Sequence, residues 1–178
     1  IVILDSLINS SVKTISRISN ICQLSSDDFK ERIKFVKGDV RDQELISYYS
    51  KNCKTIYHLA AVLGVDIVSN KNVETMNCEF EGIKNVCNAA KKNKIRKIIY
   101  ASSGSVYGIK KEKKVHENLS LNPISLYNKV KMSTERILLS FKNEIDIFIV
   151  RPGTVCGYSP RMRLDLTVNA LSFSALKN

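Results

Sequence analysis

Five short runs rich in apolar, β-branched and aromatic residues punctuate the chain: "IVILD" at 1–5, "IKFVKGD" at 33–39, "TIYHLA" at 55–60, "KIIYAS" at 97–102 and "DIFIVRP" at 146–152. Their nearly continuous apolar character predicts strands buried on both faces. Between them the period lengthens. Val73 to Lys92 places Met76, Phe80, Ile83 and Cys87 on one helical stripe, and Ile124 to Phe141 does the same with Leu126, Val130, Ile137 and Phe141. Strand, helix, strand at this rhythm implies an α/β fold: a doubly wound parallel sheet with helices on both faces.

Composition narrows the class. The 178 residues, 44% hydrophobic and 25% charged, suffice for one sizeable core and make one domain the default. No apolar run approaches the roughly 18 to 20 residues of a membrane span, and no secretory signal pattern is present. The expectation is a soluble, cytoplasmic protein with no membrane partner. Cys22, Cys53, Cys78, Cys87 and Cys156 are odd in number and contain no Cys-x-x-Cys pair, so they read as reduced, mostly buried thiols, with no disulfide framework and no metal.

The formal net charge of +11 raises nucleic acid as a partner. Its distribution argues against one. Lys91, Lys92 and Lys94 cluster at a helix end, and Lys110, Lys111, Lys113 and Lys114 in a loop, without interleaved aromatics to stack bases. These are solvated faces, and no nucleic-acid partner is expected.

Ligands of such sheets bind at the carboxyl ends of the strands. "IVILD" ends in Asp5, an acid able to accept from a ribose diol and to repel a 2′-phosphate, which favours NAD over NADP; helix capping or plain solvation explains the same residue. "GDVRD" offers Asp39 and Val40 to an adenine edge, and "HLAA" offers the small Ala60 and Ala61 as a shelf for a flat cofactor. His58, just before them, reads as a packed structural histidine, and His116 as exposed.

After "KIIYAS" comes "SSGSVYG", a turn in which Gly104 and Gly108 permit tight backbone and Ser102 and Ser103 direct hydroxyls toward the crevice. Further on, "YNKVK" sets Tyr127 and Lys131 four apart, on one helix face. A phenol ordinarily titrates near about 10, but an ammonium one turn away and a cationic nicotinamide both favour the phenolate. Such a tyrosine exchanges protons near neutral pH, and a serine hydroxyl holds the same substrate oxygen. An exposed amphipathic helix also accounts for a lone Tyr-x-x-x-Lys; the serine turn upstream is what gives the pair meaning.

Taken in order, "IVILD", "GDVRD", "HLAA", "YASSGSVYG", "YNKVK" and "RPGTVCG" resemble the extended branch of the short-chain dehydrogenase/reductase superfamily, the nucleotide-sugar epimerases and dehydratases, which have a Rossmann-like fold. The resemblance implies Ser103, Tyr127 and Lys131 as catalytic serine, acid/base and orienting lysine. It implies NAD as cofactor, with Asp5, Asp39, Val40, Ala60 and Ala61 at adenosine and with Leu59, Ser102, Tyr127 and Lys131 completing the set. Thr154 falls where many members carry an asparagine that touches the sugar nucleotide, and Ser103 shares that contact. Arg161 and Arg163 read either as partners of a diphosphate or as surface charges. Glu79 stands where the family's helix usually carries asparagine, and its contact is left open.

The family's dehydratases carry Asp-Glu or a lone Glu at the places of Gly104 and Ser105, and its sugar decarboxylases a Glu at the second, so the resemblance implies a nucleotide-sugar epimerase of the 4-epimerase type. A reductase or dehydratase of the same family, and an inactive NAD(P)-binding sensor, are the alternatives. The family's glycine-rich loop belongs about 20 residues before Asp5. The expectation is therefore a fragment: residues 1–157 as an NAD-binding domain without its first strand and loop, 158–178 as the start of a sugar-nucleotide region, and a homodimer when full length.

Overall fold

The computed structural model describes residues 1–8, 10–62, 72–159 and 162–177. Among the described residues five strands and six α-helices follow one another: β1 (Val2–Asp5), α1 (Val12–Ile21), α2 (Ser26–Arg32), β2 (Lys34–Lys37), α3 (Gln43–Tyr49), β3 (Thr55–His58), α4 (Asn72–Lys92), β4 (Lys97–Ala101), α5 (Leu126–Leu139), β5 (Asp146–Val150) and α6 (Thr167–Lys177). A 3₁₀ turn, Gly104–Tyr107, follows β4. Among the described residues every strand pairing is parallel, β1 with β2 and, in a second ladder, β3 with β4 with β5. The α/β, Rossmann-like class expected from the sequence is the class observed.

Packing divides the described residues into two compact units, 1–37 with 154–178, and 38–153. In the first, β1 and β2 run in register from Val2 opposite Lys34 to Asp5 opposite Lys37. Helices α1 and α2 each begin at a serine whose hydroxyl accepts from the first turn, Ser11 from Lys13 N–H and Ser25 from Asp28 N–H. Val12, Ile15, Ile18 and Cys22 set a helical stripe along α1, a signal that the strand-centred reading of this stretch passed over.

The larger unit holds the three-stranded ladder. Tyr100 and Ile98 on β4 are fully buried beneath α4 and α5, whereas on the opposite face Tyr57 and Phe148, cross-strand neighbours through Ile99, are 66% and 50% exposed. The expectation of strands buried on both faces is corrected: they bury one face. Continuous apolar runs read as doubly covered, but in β5 exposure alternates strictly with the pleat.

The buried stripes of the helices are also rotated from those expected. On α4 the interior positions are Thr75, Glu79, Gly82, Ile83, Val86, Cys87, Ala89 and Ala90, with Met76 and Phe80 half-buried; on α5 they are Val130, Lys131, Thr134, Glu135 and Leu138. Both interior stripes carry charges. The cysteines are free, but only Cys87 is buried; Cys53 and Cys78 are intermediate and Cys22 and Cys156 exposed, which corrects the expectation of mostly buried thiols. Burial pushes the Cys87 thiol up to about 12 and Cys78 to about 11, so neither is a ready thiolate. Among the described residues no helix is long and apolar enough to cross a membrane, and no cluster of His, Cys, Asp and Glu is placed to hold a metal.

Candidate active site

The serine turn grows directly from the end of β4. Ser102 still follows the ladder, its N–H donating to Val150 O at 2.8 Å, and Gly104 N–H then donates to Pro152 O at 2.7 Å, tying the turn to the chain leaving β5. Ser103 caps the 3₁₀ turn, accepting from Ser105 N–H. The Ser103 and Ser105 hydroxyls lie 2.7 Å apart, and Ser105 donates to Asn128 Oδ1 at 2.6 Å. Because Ser105 has one proton to give, Ser103 is the donor between the two serines. A chain of two hydroxyls and one amide thus joins the turn to the helix residue next to Tyr127.

Ser102 behaves differently. Its side chain is buried and its hydroxyl donates to Glu135 Oε1, which corrects the expectation that it points into the crevice. Glu135 in turn accepts from Nε and Nη2 along one edge of Arg151's guanidinium, whose third nitrogen donates to Tyr107 OH at 2.9 Å. The Glu135 carboxylate, first in effect, and Tyr107 push the guanidinium further above its already high range.

Tyr127 and Lys131 occupy successive turns of α5, whose first turn is capped by Ser125 accepting from Asn128 N–H. Lys131 is buried, its Nζ 5.8 Å from the Tyr127 ring centre and 4.8 Å from that of Tyr100. It donates to Ala101 O at 3.2 Å and lies 2.9 Å from Glu79 Oε1. That oxygen has no aligned hydrogen bond, so the contact is one of charge rather than of donor geometry. Glu79 Oε2 receives the Tyr100 hydroxyl at 3.1 Å. Burial raises the Tyr100 phenol, with the Glu79 charge second, so Tyr100 stays a donor. His58 stacks on Tyr100 at 5.7 Å, fully enclosed, with Nε2 lacking a partner; burial, aided by the Lys131 charge, pushes it down to about 3. His58 is a packed, neutral histidine, as its sequence position suggested.

Val40 lies under α4 at the one place where that helix has no side chain: a Cβ at Gly82 would stand 2.7 Å from Val40 Cγ2. Asn85 Nδ2 donates to the carbonyls of Val40 and Arg41, pinning the same loop. Asp39 is engaged by its neighbour: Arg41 donates from Nε at 3.0 Å and from Nη2 at 2.6 Å, which holds the carboxyl below its usual range. Leu59 is 67% exposed, with Ala60 and Ala61 half-buried beyond it.

In the smaller unit Asp5 Oδ1 accepts from Leu7 N–H at 2.7 Å and Ser10 Oγ at 2.8 Å, holding the turn after β1. Thr154 is exposed. Arg163 pairs with Asp165, and its carbonyl accepts from Asn169 Nδ2, whose Oδ1 accepts from Gly157 N–H. Arg161 lies outside the described residues.

Sequence reasoning brought Ser103, Tyr127 and Lys131 to one unit and missed Tyr100, Asn85, Asn128, Glu135 and Arg151. A signal for Glu79 existed: drawn through charge rather than around it, the stripe 75, 79, 83, 86, 90 has helical spacing.

Known proteins match this chain along nearly its whole length. A curated relative, the uncharacterized UDP-glucose epimerase YtcB of Bacillus subtilis, is 31% identical over 143 residues, covering 80% of this chain and 45% of its own length. The UDP-glucose 4-epimerase of the same organism is 25% identical over 176 residues, 96% of this chain and 50% of its own. The solved UDP-glucuronic acid 4-epimerase of Bacillus cereus, in complex with NAD, superposes with a TM-score of 0.74 at 29% identity, over 99% of this chain and 55% of that one. DesIV of Streptomyces venezuelae, a dTDP-glucose 4,6-dehydratase, shares the fold at TM-score 0.79 and 21% identity.

The chain spans about half the length of the curated relatives it matches. The expectation of a fragment without most of its substrate region is corrected by the coverage: the likeness to these solved structures takes in 99% of this chain, reaching into residues 158–178, which the sequence reading treated as the mere start of a sugar-nucleotide region. The family's sequence pattern itself is matched by residues 3–174, and the chain belongs to the NAD dependent epimerase/dehydratase family.

Proposed function

We propose that the protein is an NAD-dependent epimerase that inverts the 4-position of a nucleotide sugar through a keto sugar. The observation that carries this reading is the hydrogen-bonded bridge Ser103–Ser105–Asn128, which sets the serine turn against the helix turn of Tyr127 and Lys131. In this reading Tyr127 takes the proton from the substrate hydroxyl oxygen and returns it, while the Ser103 hydroxyl turns from Ser105 to donate to that oxygen. Lys131, its ammonium below the Tyr127 ring, stabilises the phenolate and faces the nicotinamide ribose.

Residues of each unit, taken separately, suit parts of a dinucleotide. Leu59 offers an exposed apolar surface followed by two small alanines, against which a flat ring can lie. Among the described residues Asp5 spends only Oδ1 on its own turn, which leaves Oδ2 for a ribose diol. When bound, NAD supplies reversible hydride transfer. Val40, Ala60, Ala61 and Lys131 complete the cofactor set, with Asp39 reaching it through or beside Arg41. Ser102, turned toward Glu135, acts on the cofactor only through its backbone. Thr154 and Arg163 take the sugar nucleotide, and the division of residues 1–157 for cofactor and 158 onward for sugar belongs to the same proposal.

Epimerisation is favoured over dehydration because Gly104 and Ser105 supply no carboxyl group, and the Ser105 hydroxyl is already committed to Asn128. The activities named for YtcB and for the two 4-epimerases point to UDP-sugars as the class to test first. Incubation of the purified protein with NAD and UDP-glucose, UDP-glucuronic acid or their N-acetyl counterparts should yield the 4-epimer, resolved by chromatography. A 4-keto-6-deoxy sugar as product would replace this reading with dehydration.

A further inference from the structure

Glu79 and Lys131 form a buried charge pair: their side chains are 1% and 3% exposed, with Oε1 and Nζ 2.9 Å apart. The pair is held from three elements. Glu79 comes from α4, Lys131 from α5, and β4 contributes the Tyr100 hydroxyl to Glu79 and the Ala101 carbonyl to Lys131. A lysine at this depth needs a partner, but a carboxylate is a strong one. Toward Tyr127, the ammonium beside its counter-ion acts as a dipole, whose influence falls off faster than that of a lone charge.

Resting on the reading of Tyr127 as the acid/base, we propose that Glu79 is a positioning residue that anchors Lys131 and offsets its charge, so that Tyr127 yields its proton at higher pH than beside an unpaired lysine. The asparagine usual at this place would leave the full ammonium charge facing the phenol. Among the described residues the other titratable groups around the pair do not duplicate the effect. From β3, His58 is enclosed and neutral above about pH 3; from β4, Tyr100 is a retained phenol; on α4, burial keeps the Cys78 thiol protonated. One turn along α5, Glu135 is taken by Arg151 and Ser102.

The test is Glu79→Gln, which keeps shape and removes charge, with Glu79→Asn alongside it in case the longer amide packs poorly. Two readouts are needed. The phenolate absorbance of Tyr127, isolated by subtracting the titration of Tyr127→Phe, should develop about one pH unit lower in the variant. The acid limb of the pH profile of kcat/KM should move the same way by a similar amount, which a purely structural role for Glu79 would not produce. In the unmutated protein the Glu79 carboxyl carbon should show the carboxylate resonance by NMR at pH 7. Unmoved or raised midpoints in the variants, or a protonated Glu79 in the parent, would overturn the proposal. The optical and NMR measurements use neither cofactor nor sugar. A protein lacking epimerase activity but showing the phenolate shift would therefore refute the functional reading alone, and an active enzyme with an unmoved limb would refute the role of Glu79 alone.

Discussion

Arg151 grips Glu135 through two parallel hydrogen bonds, Nε to Oε1 at 2.9 Å and Nη2 to Oε2 at 2.6 Å, and so joins the chain leaving β5 to the middle of α5. The Glu135 side chain is 2% exposed and that of Arg151 19%, so the pair lies mostly out of water. Ser102 and Tyr107 attach the serine turn to the same two residues. Three segments that carry the candidate site are thereby locked at one point.

Glu135→Gln should therefore destabilise the protein, by about 2–4 kcal/mol given that Arg151 retains some contact with solvent. Urea unfolding followed by circular dichroism measures it. A loss no larger than that of an ordinary surface substitution would mean that the bidentate pair is not structural.

Tyr127→Phe should lower turnover about a hundred- to ten-thousand-fold while leaving NAD affinity nearly unchanged, since the ring still packs and only the proton is lost. Lys131→Met should harm both. It should also destabilise the fold by about 3–5 kcal/mol, because Glu79 is left buried without its counter-ion. Adding Glu79→Gln to Lys131→Met should restore much of that stability and none of the activity. Calorimetric NAD titration and thermal melts separate these effects, and a Tyr127→Phe variant with most of its kcat intact would end the acid/base assignment.

His58 makes stability depend on pH. Its folded value, about 3, lies below the ordinary 6.5, so between them the unfolded chain binds a proton that the folded one refuses. The contribution is complete above about pH 6.5 and is lost as pH falls toward 3, at up to about 1.4 kcal/mol per unit. His58→Phe keeps the stacking on Tyr100 and removes the titrating ring, so its unfolding free energy should fall less steeply than the parent's between pH 6 and 4. Parallel slopes for the two proteins would show that His58 takes up its proton in the folded state.

Gly108 has φ +69°, and a Cβ there would stand 2.0 Å from Asn122 O. Strain and collision act together, so Gly108→Ala should cost about 2 kcal/mol or more. Because Asn122 N–H also donates to Val106 O, the loss should come with a displaced serine turn and lower turnover. A variant with unchanged melting temperature would show that the loop at Asn122 moves aside freely.

By itself the sequence determined the order and type of the main elements. Strand runs and the two long helical stripes are local patterns of hydrophobicity, and the structure keeps β1 to β5, α4 and α5 within a few residues of where those patterns put them. The spacing of Tyr127 and Lys131 is equally local, since four residues on a helix always share a face. What the tertiary structure alone decided is which charges lie inside. Glu79 meets Lys131 across 52 positions in the chain, and Glu135 meets Arg151 across a loop and a strand. A stripe drawn through apolar residues treats such charges as surface, because an unpaired charge belongs in water; only the partner, supplied by another element, makes burial tolerable. The same limit applies to Ser102, whose turn inward depends on a carboxylate 33 residues away.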